Sequence, residues 1–219
     1  PHDLKKIKDR PEVLYYRGHI DILNKHKSIA VVGSRKISAV GAKLAYNAGS
    51  IIGKNGFNLV NGLALGCDAE ALKGALAAGG KCAVVLPCGI NEIYPKSNQW
   101  IAEEVLKQGG CLISEYPEGT RPEKYRFVQR DRLQSGMSQG VLVVEAMEKS
   151  GTMHTAEYAK KQNRRLACYY HGLLKYSTGN NVLENLYQAA VIKTNEDLEN
   201  YLCEIADIEE YTQLSFDFV

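Results

Sequence analysis

The sequence predicts an α/β protein with a doubly wound, mostly parallel sheet. Two observations support this fold class. Short, almost continuous apolar runs recur along the chain, and stretches with helical spacing separate them. Strands that are apolar on both faces are typical of a parallel sheet that helices cover on both sides. The chain has 219 residues, of which 45% are hydrophobic, and this is enough for one domain with a single large core.

The first half of the chain supplies three strands and two helices. Residues 28–32 are an apolar run that ends at a glycine, and residues 40–54 carry apolar side chains at helical spacing. Residues 57–60 and 82–86 are two further apolar runs. The alanine-rich stretch 68–78 between them predicts a helix, which a pair of glycines ends.

The second half continues this alternation. Strands are predicted at 111–113, 141–144 and 166–170, and helices at 98–107, 152–163 and 194–206. The stretch 118–135 is polar and basic, and it is assigned to neither type. We interpret residues 1–27 as an N-terminal lead-in, residues 28–194 as the α/β domain, and residues 195–219 as an acidic C-terminal helix and tail.

The charges of the chain are distributed unevenly. Residues 195–219 contain 8 of the 25 acidic residues and no lysine or arginine, so the remainder holds 27 basic against 17 acidic residues. A basic body of this kind is typical of proteins with a polyanionic partner. A solvated acidic helix end explains the same numbers equally well.

Several classes of protein are disfavoured. No apolar run approaches the ~20 residues that span a bilayer, and the first residues lack the apolar stretch of a signal peptide, so we expect a cytoplasmic protein without a membrane partner. The six cysteines form no C-x-x-C pair and no zinc spacing, and we expect reduced, structural thiols. We predict no metal and no cofactor.

The residues that follow the predicted strands form a second pattern. The carboxyl ends of parallel strands meet at one edge of the sheet, where ligands of doubly wound folds bind. Glycines and helix N-termini at that edge can bind anions through exposed N–H groups, although a tight turn explains each single glycine as well. The candidate residues of these loops are Ser34, Asn61, Gly62, Gly151 and Thr152.

Two common nucleotide-binding motifs are absent from these loops. The loop from Gly33 to Gly41 does not fit G-x-G-x-x-G, and no G-x-x-x-x-G-K-[ST] occurs, which disfavours classical NAD binding and P-loop ATP hydrolysis. Arg35 in the first loop would fill the space near a pyrophosphate. Its planar guanidinium is better suited to a phosphodiester.

A basic and aromatic segment extends from Arg121 to Arg132, with five basic and two acidic residues. Basic groups with interleaved aromatic rings suit single-stranded nucleic acid, because bases stack on the rings at roughly 1–3 kcal/mol each while the charges follow the backbone. The alternative is that Phe127 belongs to the core and that Arg130 or Arg132 pairs with a buried acid such as Glu145.

A series of motifs carries a resemblance to a known family. The motifs are Val31-Val-Gly-Ser-Arg35, Asn61-Gly-Leu-Ala-Leu-Gly-Cys-Asp68, Leu86-Pro-Cys-Gly89, Ser114-Glu-Tyr-Pro117 and Ser150-Gly-Thr152. In this order they resemble the DprA/Smf family of DNA-processing proteins. The resemblance extends from about Leu14 to Ile192.

The resemblance implies an extended Rossmann-like domain that binds single-stranded DNA as a homodimer and helps to load the RecA recombinase in natural transformation or recombination. By position, Arg35, Lys124 and Phe127 match the DNA-contacting pocket of the family, with Phe127 as the stacking ring. Further motif positions are matched by Arg130, Arg132 and Ser150-Gly151-Thr152. We therefore expect a DNA-binding protein rather than an enzyme, with only the Rossmann-like domain in these residues.

The sequence also departs from the family pattern. Leu65 and Leu72 occupy positions where other members usually carry an Arg and a His. Asp131 stands in place of an amide, and His171 closes a turn that usually reads V-P-G. The chain thus resembles a divergent member.

The competing interpretation is a nucleotide-binding or nucleotide-hydrolysing protein similar to the phosphoribohydrolases. In those enzymes the loop that corresponds to residues 149–155 carries a catalytic Glu, whereas this chain has Thr155 there. Glu157 lies about 200° further round a helix. Hydrolysis therefore lacks its carboxylate at the expected place, while a sensor that binds a nucleotide without turnover stays open.

The tail carries one further hypothesis. Gln213 to Phe218 resembles the short peptides with which bacterial DNA-processing proteins dock on the sliding clamp. An extended peptide with apolar anchors suits binding in a groove. The alternative is an edge strand or the packed end of a helix.

Overall fold

The computed structural model describes residues 1–216, with side chains to residue 207. Within this part, eight strands form one sheet. The strands are β1 (Tyr15–Gly18), β2 (Ser28–Val32), β3 (Asn58–Asn61), β4 (Cys82–Leu86), β5 (Cys111–Ser114), β6 (Gly140–Val143), β7 (Arg165–Tyr169) and β8 (Ala190–Ile192). The helices are α1 (Ile22–Lys25), α2 (Ala39–Lys54), α3 (Cys67–Ala77), α4 (Gln99–Lys107), α5 (Lys124–Gly136), α6 (Gly151–Lys161), α7 (Thr178–Tyr187) and α8 (Asn195–Phe216).

The doubly wound, mostly parallel sheet that the sequence predicts is confirmed. The strand order is β1-β5-β4-β3-β2-β6-β7-β8, and all neighbours are parallel except β1 and β5. The chain winds outward from β2 to β5 on one side and from β6 to β8 on the other. The order therefore reverses between β2 and β6, and such a switch point opens a crevice at the carboxyl ends of the two strands.

Helices cover both faces of the sheet. Along β2, Ile29 and Val31 belong to one buried apolar cluster and Ala30 and Val32 to the other, because successive side chains of a strand point to opposite faces. The first cluster is completed by α2, α3, α4 and α8. The second is completed by α1, α5, α6 and α7.

Two glycines allow α2 and α3 to lie against each other. A Cβ added at Gly49 would lie 1.9 Å from the carbonyl oxygen of Ala71, and one added at Gly74 would lie 1.9 Å from that of Tyr46. Backbone therefore meets backbone along this helix pair. The close packing fixes the loops that precede both helices, and these loops follow β2 and β3.

Residues 1–27 differ from the polar lead-in that the sequence predicts. They contain β1, which pairs antiparallel with β5 at the edge of the sheet. They also bury Leu4 and Ile7 in the second apolar cluster. The pattern is weak in the sequence because β1 is an edge strand whose side chains are mostly exposed.

The polar stretch at 118–135 contains α5, which the sequence pattern does not predict. This helix buries Arg130, Asp131, Gln134 and Ser135 together with Leu133. Because polar residues form much of its buried face, the apolar periodicity that marks other helices is missing. The pattern also predicts no element at α7 and β8.

The closing helix α8 packs on the first apolar cluster through Leu198, Tyr201 and Leu202. Neither this helix nor any other among the described residues is long and apolar enough to cross a bilayer. The side chains of Gln213 to Phe218, on which the clamp-docking hypothesis depends, lie outside the described residues.

The cysteines are free thiols. All six fall within the described part of the chain, where five are buried and Cys203 is exposed. Burial raises the pKa of Cys82 and of Cys111 to about 12, so both remain protonated at neutral pH. These thiols act as small core side chains.

Candidate functional site

An open crevice of about 910 Å³ lies at the switch point of the sheet. Its walls come from the loop after β2, from one side of α5 and from the start of α6. The volume is within the range of pockets that enclose small ligands. The crevice therefore lies where the strand order places a binding site.

The loop after β2 is held by its own hydrogen bonds. The Ser34 N–H donates to the carbonyl of Glu145 at 2.7 Å, and the Ser34 carbonyl accepts from the N–H of Cys67 at 3.1 Å. The Ser34 hydroxyl donates to the Lys36 carbonyl at 2.9 Å and accepts from the Lys36 N–H at 3.1 Å. Ser34 thus shapes the turn that places Arg35 in the crevice.

A cation and two aromatic rings form the rim of the crevice. The Arg35 guanidinium lies over the Phe127 ring, with Cζ 4.9 Å from the ring centroid. Tyr94 meets the same ring edge to face, with centroids 5.6 Å apart and planes at 71°. Lys124 lines the same wall. The rim joins positive charge with surfaces on which flat groups stack.

One face of α5 extends from this rim to the floor of the crevice. Lys124, Phe127, Arg130, Asp131 and Gln134 follow one another at helical spacing and all line the crevice. Lys124 is exposed and Phe127 is half-buried. The last three are buried, with exposed fractions of 4%, 9% and 2%. The helix therefore presents charge at the rim, a ring below it and buried polar groups at the floor.

The floor contains one arginine between two carboxylates. Arg130 Nε lies 3.5 Å from Asp131 Oδ1. Asp68 Oδ2 accepts hydrogen bonds from the N–H groups of Gly62 at 2.9 Å and Ala64 at 3.3 Å. Burial raises the pKa of Asp68, and the Arg130 charge opposes that rise. Burial also raises the pKa of Asp131 to about 6, again against the effect of Arg130.

The start of α6 forms the opposite wall. Ser150 is the N-cap residue, but its side chain makes no capping hydrogen bond. Its buried hydroxyl has no hydrogen-bond partner among the residues that the structure describes. A Cβ at Gly151 would meet nothing within 4 Å, and Thr152 also lines the crevice. The first N–H groups of a helix carry partial positive charge, so this wall complements an anion.

Glu145 braces the crevice from below. Its Oε2 accepts from the N–H of Ser38 at 2.7 Å, and its Oε1 accepts from the N–H of Tyr176 at 3.1 Å. The carboxylate is fully buried. It therefore ties the start of α2 to the segment before α7 and keeps both at the edge of the crevice.

Arg132 lies outside the crevice lining. Its guanidinium forms a two-pronged ion pair with Glu115, in which Nη1 donates to Oε2 at 2.8 Å and Nη2 contacts Oε1. Its Nε also donates to the Asp9 carbonyl at 2.9 Å. Both Arg130 and Arg132 thus pair with largely buried acids, but the partners are Asp131 and Glu115 rather than Glu145.

Asn61 and Gly62 support the crevice without lining it. Asn61 is fully buried, and its Nδ2 donates to the Asp68 carbonyl at 2.9 Å. Gly62 lies under the Arg130 guanidinium, where an added Cβ would be 1.1 Å from Nη1. The two residues therefore hold the floor in shape. The other seven predicted residues line the crevice: Ser34, Arg35, Lys124, Phe127, Arg130, Gly151 and Thr152.

Sequence reasoning did not select several residues that line the crevice. They are Tyr94, Asp68, Asp131 and Gln134. Asp131 and Gln134 lie at helical spacing from Lys124, but this places them on one face only if the basic stretch is a helix. Tyr94 and Asp68 come from loops after other strands, and only the sheet order brings them to this edge.

Thr155 also lines the crevice and is buried. It occupies the position at which a phosphoribohydrolase loop carries its catalytic Glu. His154 is exposed and Glu157 is half-buried, and neither lines the crevice. The carboxylates that do line it, Asp68 and Asp131, belong to other segments.

The doubly wound sheet, with a crevice at its switch point whose rim is cationic and aromatic, defines a Rossmann-like ligand-binding domain. A family model described as DNA recombination-mediator protein A matches residues 1–202, and the chain belongs to this family. The resemblance to DprA/Smf proteins is thereby confirmed, and the family is one of DNA-processing proteins.

Individual relatives agree with this assignment. The chain is 37% identical over 166 residues to the DNA processing protein DprA of Bacillus subtilis (strain 168), which covers 76% of this chain and 56% of that protein. This chain spans about half the length of the curated relatives that it matches.

Two solved structures are similar to this chain over nearly its whole length. DNA processing protein A from Helicobacter pylori, which binds single-stranded DNA, superposes with a TM-score of 0.84 at 30% identity and covers 93% of each chain. The DprA structure from Streptococcus pneumoniae gives a TM-score of 0.80 at 32% identity, over 91% of this chain and 70% of that one.

Proposed function

We propose that this protein binds single-stranded DNA in the crevice at the switch point of its sheet. The observation that carries the proposal is the stack of Arg35 on Phe127 at the crevice rim, beside Lys124. The single-stranded DNA binding of the similar Helicobacter pylori protein supports it. The residues that we assign to the DNA are Ser34, Arg35, Lys124, Phe127, Arg130, Gly151 and Thr152.

The charges of the rim suit the sugar-phosphate backbone. Arg35, Lys36 and Lys124 all line the crevice mouth, and Lys36 and Lys124 are exposed. The start of α6 adds N–H groups on the opposite wall. A strand that passes between these walls meets positive charge on both sides, whereas the floor beneath carries two carboxylates.

The rings suit the bases. Phe127 is half-buried and contacts Arg35, which lies over its face, and Tyr94, whose ring is T-shaped to it. Both a phenyl ring and a planar guanidinium stack on nucleobases, so a base can join this stack. Stacking tolerates every base because each has a π face.

The experiment is fluorescence anisotropy with a labelled oligo-dT across a salt series, with duplex DNA and mononucleotides as competitors. Arg35→Ala should weaken binding and reduce the salt slope by about 0.7, because one phosphate contact is lost. Phe127→Ala should weaken binding by about 1–3 kcal/mol with an unchanged slope, since stacking releases no counterion.

Two matched variants control for charge and for ring removal. Lys54→Ala removes an exposed cation at the far end of α2, and Tyr16→Ala removes an exposed ring from the edge strand β1. Neither should change binding. Wild-type affinity in both crevice variants would refute the assignment of the crevice, and displacement of the strand by a mononucleotide would favour a nucleotide site instead.

We also propose a place for this binding in the cell, on the basis of the family. Its description as a recombination mediator supports a role in which the bound strand is passed to a RecA-type recombinase during DNA uptake or recombination. We further propose that the protein acts as a homodimer that holds one strand. We also propose that the peptide from Gln213 to Phe218 binds the sliding clamp. Light scattering with and without DNA tests the dimer, and pull-downs with RecA, or with the clamp before and after deletion of 213–219, test the partners.

A further inference from the structure

The crevice is lined by residues with buried polar atoms that form no hydrogen bond. In the described part of the chain, no group forms a hydrogen bond with Arg130 Nε, Arg130 Nη1, Gln134 Oε1 or Ser150 Oγ. Arg130 and Gln134 are 4% and 2% exposed, and both line the crevice. Buried polar groups are nearly always paired, and an unpaired one costs about 1–3 kcal/mol. Arg130 Nε lies 3.5 Å from Asp131 Oδ1 in an ion pair, whereas Arg130 Nη1 and Gln134 Oε1 are left to bind a polar group of a ligand.

The residues of the floor follow Phe127 along α5. Asp131 follows Phe127 by four residues on α5, and Gln134 follows it by seven. At 1.5 Å per residue, Asp131 is about 6 Å further along the helix on the same face. This is about the width of a nucleobase. A base that stacks on Phe127 with its edge inward brings that edge to Arg130, Asp131 and Gln134.

The charges of the floor favour a base edge over a phosphate. Arg130 is flanked by Asp131, whose Oδ1 lies 3.5 Å from its Nε, and it opposes the rise in the pKa of Asp68. One cation between two carboxylates does not attract a dianion or a diester. Neutral groups that both donate and accept hydrogen bonds match this set.

The donors and acceptors of the floor fit one base in particular. Asp131 Oδ1 accepts from Gln134 Nε2 at 2.9 Å, whereas its Oδ2 takes no hydrogen bond from the described residues. Oδ2 and Gln134 Oε1 are therefore two free acceptors, and Arg130 supplies donors. Guanine carries two adjacent donors, N1–H and the N2 amino group, next to the acceptor O6. Thymine has one donor on that edge, and adenine and cytosine place an amino group where Arg130 needs an acceptor.

We propose that the floor of the crevice recognises guanine, through Asp131 and Gln134 as acceptors and Arg130 as donor. This inference rests on the proposed single-stranded DNA binding and adds a base preference to it. Phosphates stay at the rim with Arg35 and Lys124. The protein then selects positions along a strand by the guanines that it contains.

Recognition of this kind depends on the charge of Asp131. The pKa of Asp131 is raised to about 6 by burial and by Asp68, and Arg130, His154 and Arg35 lower it. Above this pH the carboxylate accepts from guanine. Below it, the protonated acid loses one acceptor, and the preference for guanine should decrease.

The test compares short oligonucleotides that differ at one base. Anisotropy competition at pH 7.5 uses dT nonamers with a central guanine, hypoxanthine, adenine, cytosine or thymine. We expect guanine to bind at least about fivefold more tightly than adenine, cytosine or thymine. Hypoxanthine should fall below guanine because it lacks the N2 amino group. The preference should shrink when the pH is lowered to 5.5.

One substitution distinguishes the role of the floor from that of the rim. Asp131→Asn should abolish the preference for guanine over thymine, measured as the ratio of the two affinities, while the control Asp207→Asn, which is exposed on α8 across the sheet, should leave this ratio unchanged. Equal affinity of all five strands for the wild-type protein would overturn the inference and leave the DNA-binding proposal intact. Absence of binding to any strand would overturn the DNA-binding proposal itself. The pH and hypoxanthine measurements need no variant, so they hold even if Asp131→Asn fails to fold.

Discussion

Replacing Arg132 by alanine tests whether this arginine holds α5 in place or contacts DNA. Its side chain is 12% exposed, and that of its partner Glu115 is 20% exposed. Besides the two-pronged pair with Glu115, the guanidinium donates to the carbonyls of Asp9 at 2.9 Å and Gln129 at 2.7 Å. All these groups lie on the side of α5 away from the crevice lining.

The expected loss of stability follows from the burial of the pair. Removing one partner of a fully buried ion pair costs about 3–5 kcal/mol, and hydrogen bonds to charged groups contribute about 1.5–3 kcal/mol. Because a fifth of the Glu115 side chain is exposed, water compensates part of the loss. We expect Arg132→Ala to lower the free energy of unfolding by about 2–3 kcal/mol. At about 2–4 °C per kcal/mol, Tm should fall by roughly 5–10 °C.

Urea unfolding followed by circular dichroism measures this effect, and oligo-dT anisotropy on the same preparations measures binding. The control Arg17→Ala removes an exposed arginine from β1 and should stay within about 0.5 kcal/mol of the wild type. The affinity of Arg132→Ala for DNA should remain within about twofold of the wild type. Unchanged stability together with a tenfold loss of affinity would show that Arg132 is a DNA contact, and the assignment of α5 faces would then be wrong.

Three further predictions concern stability. Gly49→Ala should destabilise by about 1–3 kcal/mol or more in urea unfolding, because its Cβ would lie 1.9 Å from the carbonyl oxygen of Ala71, whereas Gly151→Ala, with open space at its Cβ, should change stability little. Asn180→Ala should cost about 3 kcal/mol in the same assay, since this fully buried amide forms three hydrogen bonds to backbone groups at the ends of β6 and β7. Burial raises the pKa of Asp131 from 3.8 to about 6, so its stabilising contribution is present below about pH 4 and is lost as the pH rises through about 6. Between pH 4 and pH 7 the wild type should therefore lose roughly 1–3 kcal/mol of unfolding free energy that Asp131→Asn does not lose, as measured by unfolding curves across this range. A stability difference between the two proteins that does not vary with pH would contradict a raised pKa for Asp131.

The sequence predicts most of the sheet because parallel strands are buried on both faces. Six apolar runs correspond to β2 to β7 within one residue or so at each end, as at 82–86 and β4. The pattern misses β1, which is an exposed edge strand, and α5, whose buried face is polar. The side chains of β1 are mostly exposed, and the buried face of α5 is largely polar. Neither element therefore shows the hydrophobic periodicity from which strands and helices are predicted.

The candidate site is predictable where it follows from strand ends. Ser34, Arg35 and Gly151 lie in loops after β2 and β6, and the topology alone brings them to one edge. Arg132 lies outside the crevice lining, and the sequence pattern does not indicate this because it predicts no helix at α5. In a helix, Arg130 and Arg132 stand about 200° apart around the axis, and only one of them can face the crevice.

The first ten residues pack against the side of α5 that faces away from the crevice. Leu4 and Ile7 are buried beneath this helix, where a Cβ at Gly136 would lie 2.9 Å from Ile7 Cδ1, and Asp9 holds Arg132. A trimmed version that starts at residue 28 would leave the edge of β5 unpaired and expose an apolar patch behind α5. Such a version should aggregate and lose its ligand although every crevice residue is still present. For cloning and for grafting, the shortest useful unit of this fold therefore begins well before its first parallel strand.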